Sequence, residues 1–161
     1  MSNERAEILP TDSSNRSAAR ILIAAPAAKI FDVLASPSAH LLFDGSGTIQ
    51  RSVSGPERLF LGAQFAMAMK IKLPYRIKNT VIVFEENKKI TWCHFMKWRW
   101  SYELTEFNSG ITEVTESFDA SAIPVYAKWW LKKTGAMAHN PKWIAKSLVQ
   151  LKSLCEAEPL I

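Results

Sequence analysis

Cysteine is scarce in this chain. Its 161 residues hold two, Cys93 and Cys155, far apart in sequence. That argues against a disulfide scaffold and for two free, buried thiols in a reducing cytoplasm. Long apolar runs are missing too. No uninterrupted stretch reaches the roughly 18 apolar residues of a membrane span, and the opening "MSNERAEILPTDSSNRS" has neither an apolar h-region nor a cleavage site. Neither a transmembrane segment nor secretion is expected. No Walker loop, nucleophile elbow or Rossmann fingerprint occurs. His40, His94, His139 and the two cysteines have no recognised metal-ligand spacing, so no metal and no cofactor is expected. Internal repeats are absent as well.

What remains is the composition of one ordinary globular domain, 48% hydrophobic and 22% charged. At this length folding buries roughly 70% of the unfolded chain's surface, enough for a core without staples. Residues 1–17, polar and interrupted by Pro10, read as a flexible tail before a single domain over 18–161. The net charge of +5 admits an anionic partner without demanding one.

The apolar run "AARILIAA" ends at Pro26 and predicts a strand feeding the helix "PAAKIFDVLAS". A second short helical turn and a glycine-bearing loop follow in "PSAHLLFDGSG". The period then changes to two. Six strands are expected at 48–54, 63–72, 75–85, 89–96, 98–107 and 111–121, with short separators that make consecutive strands antiparallel neighbours. Ile144, Leu148, Leu151 and Cys155 recur at helical spacing, which predicts a long C-terminal helix with Asn140 as N-cap and Pro141 at its first helical position. The preceding "VYAKWWLKKTGAMAH" reads as a separate helical turn or lid, where the adjacent Trp129 and Trp130 cannot face the same way.

Alternation sorts the strand residues by face. Phe65, Met67, Met69 and Ile71 go inward, as do Tyr75, Ile77, Asn79 and Val81, then Trp98, Trp100, Tyr102 and Leu104, and finally Thr112, Val114, Glu116 and Phe118. Lys70, Lys72, Arg76, Lys78 and Arg99 go outward, a basic outer face that leaves room for peripheral membrane contact. Cations and indoles thus lie on opposite faces. A platform for stacking nucleic-acid bases needs them on the same one, so no nucleic-acid partner is expected. His94 depends on register: a three-residue loop at Phe95–Lys97 puts Ile90, Trp92 and His94 on the Trp100 face, whereas a two-residue loop substitutes Thr91, Cys93 and Phe95. The first is preferred because it hides Ile90 and Trp92.

Asn79, Tyr102, Glu116 and His94 then share an inner wall with tryptophan, phenylalanine and methionine. Burying a carboxylate in a dry core costs several kcal/mol unless it is paired or neutralised. A wet or ligand-filled interior is the economical expectation.

Several stretches look familiar as a set. "ILIAAPAAKIFDVLASP", "DGSGTIQ", "LPYRIKNTV", "RWSYEL", "VTESFD" and "SLVQLKSL" resemble the SRPBCC, START-like (pollen-allergen-like) helix-grip superfamily, in particular bacterial members labelled polyketide cyclase/dehydrase and lipid transport. The resemblance implies an α+β helix-grip fold. Its seven-stranded antiparallel sheet would curve around a long C-terminal helix, with two short helices between the first two strands, and enclose an elongated cavity for an apolar or amphipathic ligand.

The expected ligand wall comprises Phe65, Met67, Met69, Ile77, Asn79, Trp92, His94, Trp100, Tyr102, Val114, Glu116 and Phe118 from the sheet, with Ile144, Leu148 and Leu151 from the helix. Glu116, His94 and Tyr102 are the candidate acid, base or anchoring groups, the alternative for Glu116 being a structural pair. Asp44 is a candidate gate or a turn residue. Two functions follow: a carrier of a lipid, sterol or polyketide-like molecule, or a cyclase/dehydratase using Glu116. Either suits a monomer or a homodimer.

Overall fold

The period-two alternation becomes one open antiparallel sheet, and the computed structural model describes residues 5–107 and 110–157 of it and its surroundings. The strands are β1 (Glu7–Leu9), β2 (Arg16–Ile23), β3 (Ile49–Ser54), β4 (Gln64–Lys70), β5 (Pro74–Glu85), β6 (Lys89–His94), β7 (Arg99–Phe107) and β8 (Ile111–Asp119). They lie in the order β1-β2-β8-β7-β6-β5-β4-β3. β3 to β8 form a meander because each connection is too short for anything but a reversal. The described helices are α1 (Ala27–Leu34), α2 (His40–Phe43, entered through a 3-10 turn at Pro37–Ala39), α3 (Val125–Lys133) and α4 (Ala136–Glu156). This is the α+β helix-grip architecture.

Two features differ from the sequence reading. The sheet has eight strands, not seven, because Glu7–Leu9, inside the stretch expected as a tail, pairs with Ala18–Arg20. Three residues leave too little alternation to stand out, and an Arg20–Glu7 ion pair helps hold them (2.7 Å). The C-terminal helix also begins at Ala136 rather than at Pro141, so Asn140 is a buried helical residue and not the cap. The break from α3 falls at Gly135, whose φ of 72° suits glycine. Pro141 stands in the second turn and leaves the Met137 carbonyl without its helical N–H donor.

The β6–β7 hairpin adopts the preferred register, with Trp92 opposite Trp100 and Ile90 opposite Tyr102. The His94 N–H donates to the Trp98 carbonyl (2.8 Å) and the Lys97 N–H to the His94 carbonyl (2.9 Å), closing a three-residue loop with Lys97 at φ 77°. The core lies on the concave face. Ile30, Phe31 and Leu34 of α1 and Ile144, Leu148, Leu151 and Cys155 of α4 are buried there. Each large aliphatic side chain so buried contributes about 1.5–3 kcal/mol.

Candidate functional site

Between the concave sheet and helices α2, α3 and α4 lies a cavity of about 160 Å³. β4 presents Phe65, Met67 and Met69 to it, β5 Tyr75, Ile77 and Asn79, β6 Trp92, β7 Trp100 and Tyr102, and β8 Glu116 and Phe118. Ile144 of α4 lies across from them. These side chains come together because alternation points them to one face and five adjacent strands stack them in register. Val114, Leu148 and Leu151 do not line the cavity; they are fully buried in packed core.

His94 does not line it either. Its ring is sandwiched against Trp98 (3.8 Å, 8°) and Phe95 (4.2 Å). Nδ1 accepts the Met96 N–H (3.1 Å), which places the ring proton on Nε2, and Nε2 has no partner. Burial lowers its pKa to about 4. His94 therefore braces the hairpin. Trp98 in turn stacks on Trp130 of α3 (6.2 Å, 4°), and Tyr75 meets Trp130 edge-on (6.0 Å).

Glu116 is 2% exposed, and its Oε2 has no hydrogen-bond partner. Desolvation drives its pKa up to about 8, with the Tyr102 hydroxyl pulling it back and the Asp44 charge raising it slightly. At neutral pH the side chain is a carboxylic acid that donates as well as accepts. Tyr102, directly opposite on β7, is held well above its ordinary value by burial and by Glu116. Asn79 also presents a buried Oδ1 without a partner.

His40 is a cavity residue that sequence reasoning missed. It stacks on Trp92 (5.0 Å), and its Nε2–H donates to the Leu34 carbonyl (2.8 Å), so Nδ1 is a bare acceptor. Burial lowers its pKa to about 4. The available signal was the i, i+3 pairing of His40 with Phe43 on one face of a helical turn. Also absent from the expected wall are Ser46 and Thr48 from the loop after α2, Ile49 at the start of β3, Trp98, which alternation had already turned inward, and Leu131, Ala136, Asn140, Trp143 and Ser147. Trp130 lines the cavity while Trp129 faces outward, the divergence required of adjacent helical residues.

Asp44 borders the cavity as a loop organiser. Its carboxylate accepts from the Ser46 N–H (3.0 Å), the Ser46 hydroxyl (2.6 Å) and the Ile49 N–H (2.8 Å). This holds Gly45 against α4, where the Gly45 N–H donates to Ser147 Oγ (2.8 Å). Among the described residues no group of three or more His, Cys, Asp or Glu is placed to hold a metal ion. The arrangement offers an aromatic slot with a neutral acid, a phenol, an amide oxygen and an imidazole acceptor.

No family profile matches the chain. The uncharacterised protein Rv0088 of Mycobacterium tuberculosis is 36% identical over 133 residues, which cover 80% of this chain and 59% of that protein. A second uncharacterised M. tuberculosis protein, MT0096, is 35% identical over the same shares. The chain thus spans about three fifths of the length of these curated relatives. Among solved structures, protein Ms6760 of Mycobacterium smegmatis superposes with a TM-score of 0.68 at 14% identity, over 93% of this chain and 96% of that one. The Polyketide_cyc-like protein Cgl2372 of Corynebacterium glutamicum gives 0.62 at 19%, over 91% and 94%. The Aha1 dimer of Colwellia psychrerythraea gives 0.61 at 18%, over 88% and 96%. At these identities the likeness establishes the fold and leaves the chemistry to the side chains.

Proposed function

We propose that the protein binds a small amphipathic, ring-containing molecule in the cavity beneath α3 and α4. The observation that carries this reading is the pairing of an aromatic wall with two buried oxygens, Glu116 Oε2 and Asn79 Oδ1, that have no protein partner. Such oxygens cost about 1–3 kcal/mol each when left unsatisfied, and a ligand hydroxyl, carbonyl or amine meets them. The volume sets the size. A dry cavity of about 150 Å³ holds one benzene-sized ring, whereas drug-sized ligands occupy about 300–1,000 Å³. A sterol, a lipid chain or a multi-ring polyketide fits once α3 moves aside. Membership of the polyketide cyclase/dehydrase and lipid transport group is part of this proposal, supported by the resemblance and by the Cgl2372 fold. So is a cytoplasmic location, supported by the two free thiols. A single domain that takes in β1 together with residues 18–161, acting as a monomer or homodimer, completes it.

The test is solvent extraction of purified protein with mass spectrometry of the extract, alongside displacement of an environment-sensitive naphthalene dye. Expected are a recurrent co-purified small molecule and saturable dye binding that Glu116→Gln weakens. Repeated ligand-free preparations that also fail to bind dye overturn the proposal.

A second reading, a cyclase or dehydratase, is favoured by one observation: Glu116, neutral and facing Tyr102 across one rung, can donate its proton to a bound carbonyl and, as the carboxylate this leaves, take a proton back from the substrate, with the Tyr102 hydroxyl as a hydrogen-bond donor. Turnover of an aromatic polyketide-like substrate, abolished by Glu116→Gln and retained in Glu116→Asp, is its signature; unchanged turnover in Glu116→Gln sinks it.

A further inference from the structure

The acidic residues of this chain are unevenly placed. From Ala120 to Cys155 there are six lysines and no aspartate or glutamate. From Gln64 to Phe84 there are three lysines and one arginine, again with no acid. The fold brings these two acid-free segments together, because Trp130 of α3 meets Tyr75, which follows the turn between β4 and β5. Among the described residues, Lys70, Lys72, Arg76, Lys128, Lys132 and Lys133 form no ion pair.

The same corner exposes large apolar side chains. Val125 is 84% exposed, Tyr126 68% and Trp129 62% on α3, and Leu73 at the hairpin tip is 78% exposed. α3 uses Ala127, Trp130 and Leu131 to face the protein and turns an aromatic and aliphatic face to the outside, edged by Lys128, Lys132 and Lys133. Lys133 Nζ rests 4.7 Å from the centre of the Trp129 ring. Indoles and phenols beside long cationic stems match the boundary between lipid headgroups and acyl chains, where the ring sits at headgroup depth and the ammonium reaches the phosphates. A nucleic acid would satisfy the lysines but would leave Val125, Tyr126 and Leu73 without an apolar partner, whereas a bilayer of anionic lipid supplies both the charge and the apolar layer in one surface.

We propose that the outer face of α3, together with the tip of the β4–β5 hairpin, docks on an anionic phospholipid surface. Because the inner side of α3 roofs the cavity, docking there presents the roof, rather than the back of the sheet, to the bilayer. The inference concerns the outer face alone and does not rest on what the cavity holds.

The experiment is co-sedimentation of the full chain with vesicles of phosphatidylcholine alone and of phosphatidylcholine with phosphatidylglycerol, from about 0.1 M to about 1 M salt, over which the Debye length falls from about 10 to about 3 Å. Binding to the anionic vesicles that weakens with salt is expected, with little binding to the neutral ones. Each lysine near such a surface is worth about 1 kcal/mol, or about fivefold. Lys128→Glu with Lys132→Glu and Lys133→Glu therefore lowers binding by more than about a hundredfold. Trp129→Ala lowers it by about tenfold, the value of one buried apolar side chain. The wild-type thermal midpoint in these surface variants shows that folding is intact. No sedimentation with either vesicle, salt-independent binding to both, or a Trp129→Ala variant that binds as the wild type does overturns the proposal. So does displacement from vesicles by duplex DNA that binds wild type and Trp129→Ala alike, which marks a general polyanion site. Trp129 lies outside the cavity wall, so dye displacement in Trp129→Ala separates this proposal from the ligand-binding one: loss of vesicle binding with dye binding retained concerns the outer face only.

Discussion

Glu116 on β8 and Tyr102 on β7 stand directly opposite each other in the ladder, both buried, on the wall of the cavity. The pair is stable because neither is charged. Desolvation holds the carboxyl in its neutral form up to a pKa of about 8, against an ordinary 4.5. The neutral form is thus favoured by folding, so this stability is full below about pH 4.5 and is lost as pH rises through about 8. The whole shift corresponds to roughly 5 kcal/mol.

Glu116→Gln removes that titration. Denaturant unfolding between pH 5 and 9 is expected to show wild-type stability falling with pH and a flatter profile in Glu116→Gln. Parallel profiles contradict the buried neutral acid. Binding of a ligand that accepts the carboxyl proton fades above about pH 8 in the wild type only.

His40 and His94 act at the other end of the scale. Both have folded pKa values lowered to about 4 from 6.5 by burial. A depressed histidine stabilises the fold above 6.5, and that contribution is lost as pH falls from 6.5 through about 4. His40→Phe keeps an aromatic stack on Trp92 but cannot charge. Its loss of the Leu34 hydrogen bond costs about 1–3 kcal/mol at neutral pH, while its acid limb between pH 6 and 4 is shallower than that of the wild type. An unchanged acid limb removes His40 as a cause.

Gly45 is required for space. A Cβ there would stand 2.4 Å from the Trp143 carbonyl oxygen and 2.5 Å from the Ser147 nitrogen, both backbone atoms of α4. Gly45→Ala is expected to destabilise by about 3 kcal/mol, the upper part of the overpacking range, because backbone cannot yield as a side chain does. Ser147→Ala, which removes only the acceptor of the Gly45 N–H, costs about 1 kcal/mol. Thermal melts rank the two; equal stability of Gly45→Ala and wild type refutes the close approach.

Trp130 tethers α3 through Trp98 and Tyr75. Trp130→Ala should speed amide exchange over 125–133 by about tenfold or more while leaving β6 and β7 protected, since aromatic pairs contribute about 0.5–1.5 kcal/mol each beyond burial. It should also admit bulkier dyes. Exchange in α3 equal to wild type shows that other contacts hold the helix.

Much of the wall was legible before folding. Phe65, Met67, Trp92, Trp100, Glu116 and Phe118 could be assigned to one face because a strand allows only two directions, and the β6–β7 register followed from hiding Ile90 and Trp92. The helix side was less readable. Asn140 and Pro141 suggested a start for α4, but Gly135 with its left-handed backbone was the actual break, since a helix tolerates proline in an early turn at the loss of one hydrogen bond. His40 escaped notice because a four-residue helix offers no periodicity.

Residue alternation on its own determined which side chains turn inward, and the burial of a carboxylate among indoles already required that it be either paired or neutralised; the tertiary structure, which gives Glu116 Oε2 no partner, decided for the neutral acid. Alternation did not determine which inward residues meet empty space. Val114, Leu148 and Leu151 pack solidly while Ile144 borders the cavity, and His94 is taken up by its own hairpin through Phe95 and Trp98. Those outcomes depend on where α4 crosses the sheet and where Trp130 anchors α3, contacts between segments remote in sequence whose geometry no local period encodes.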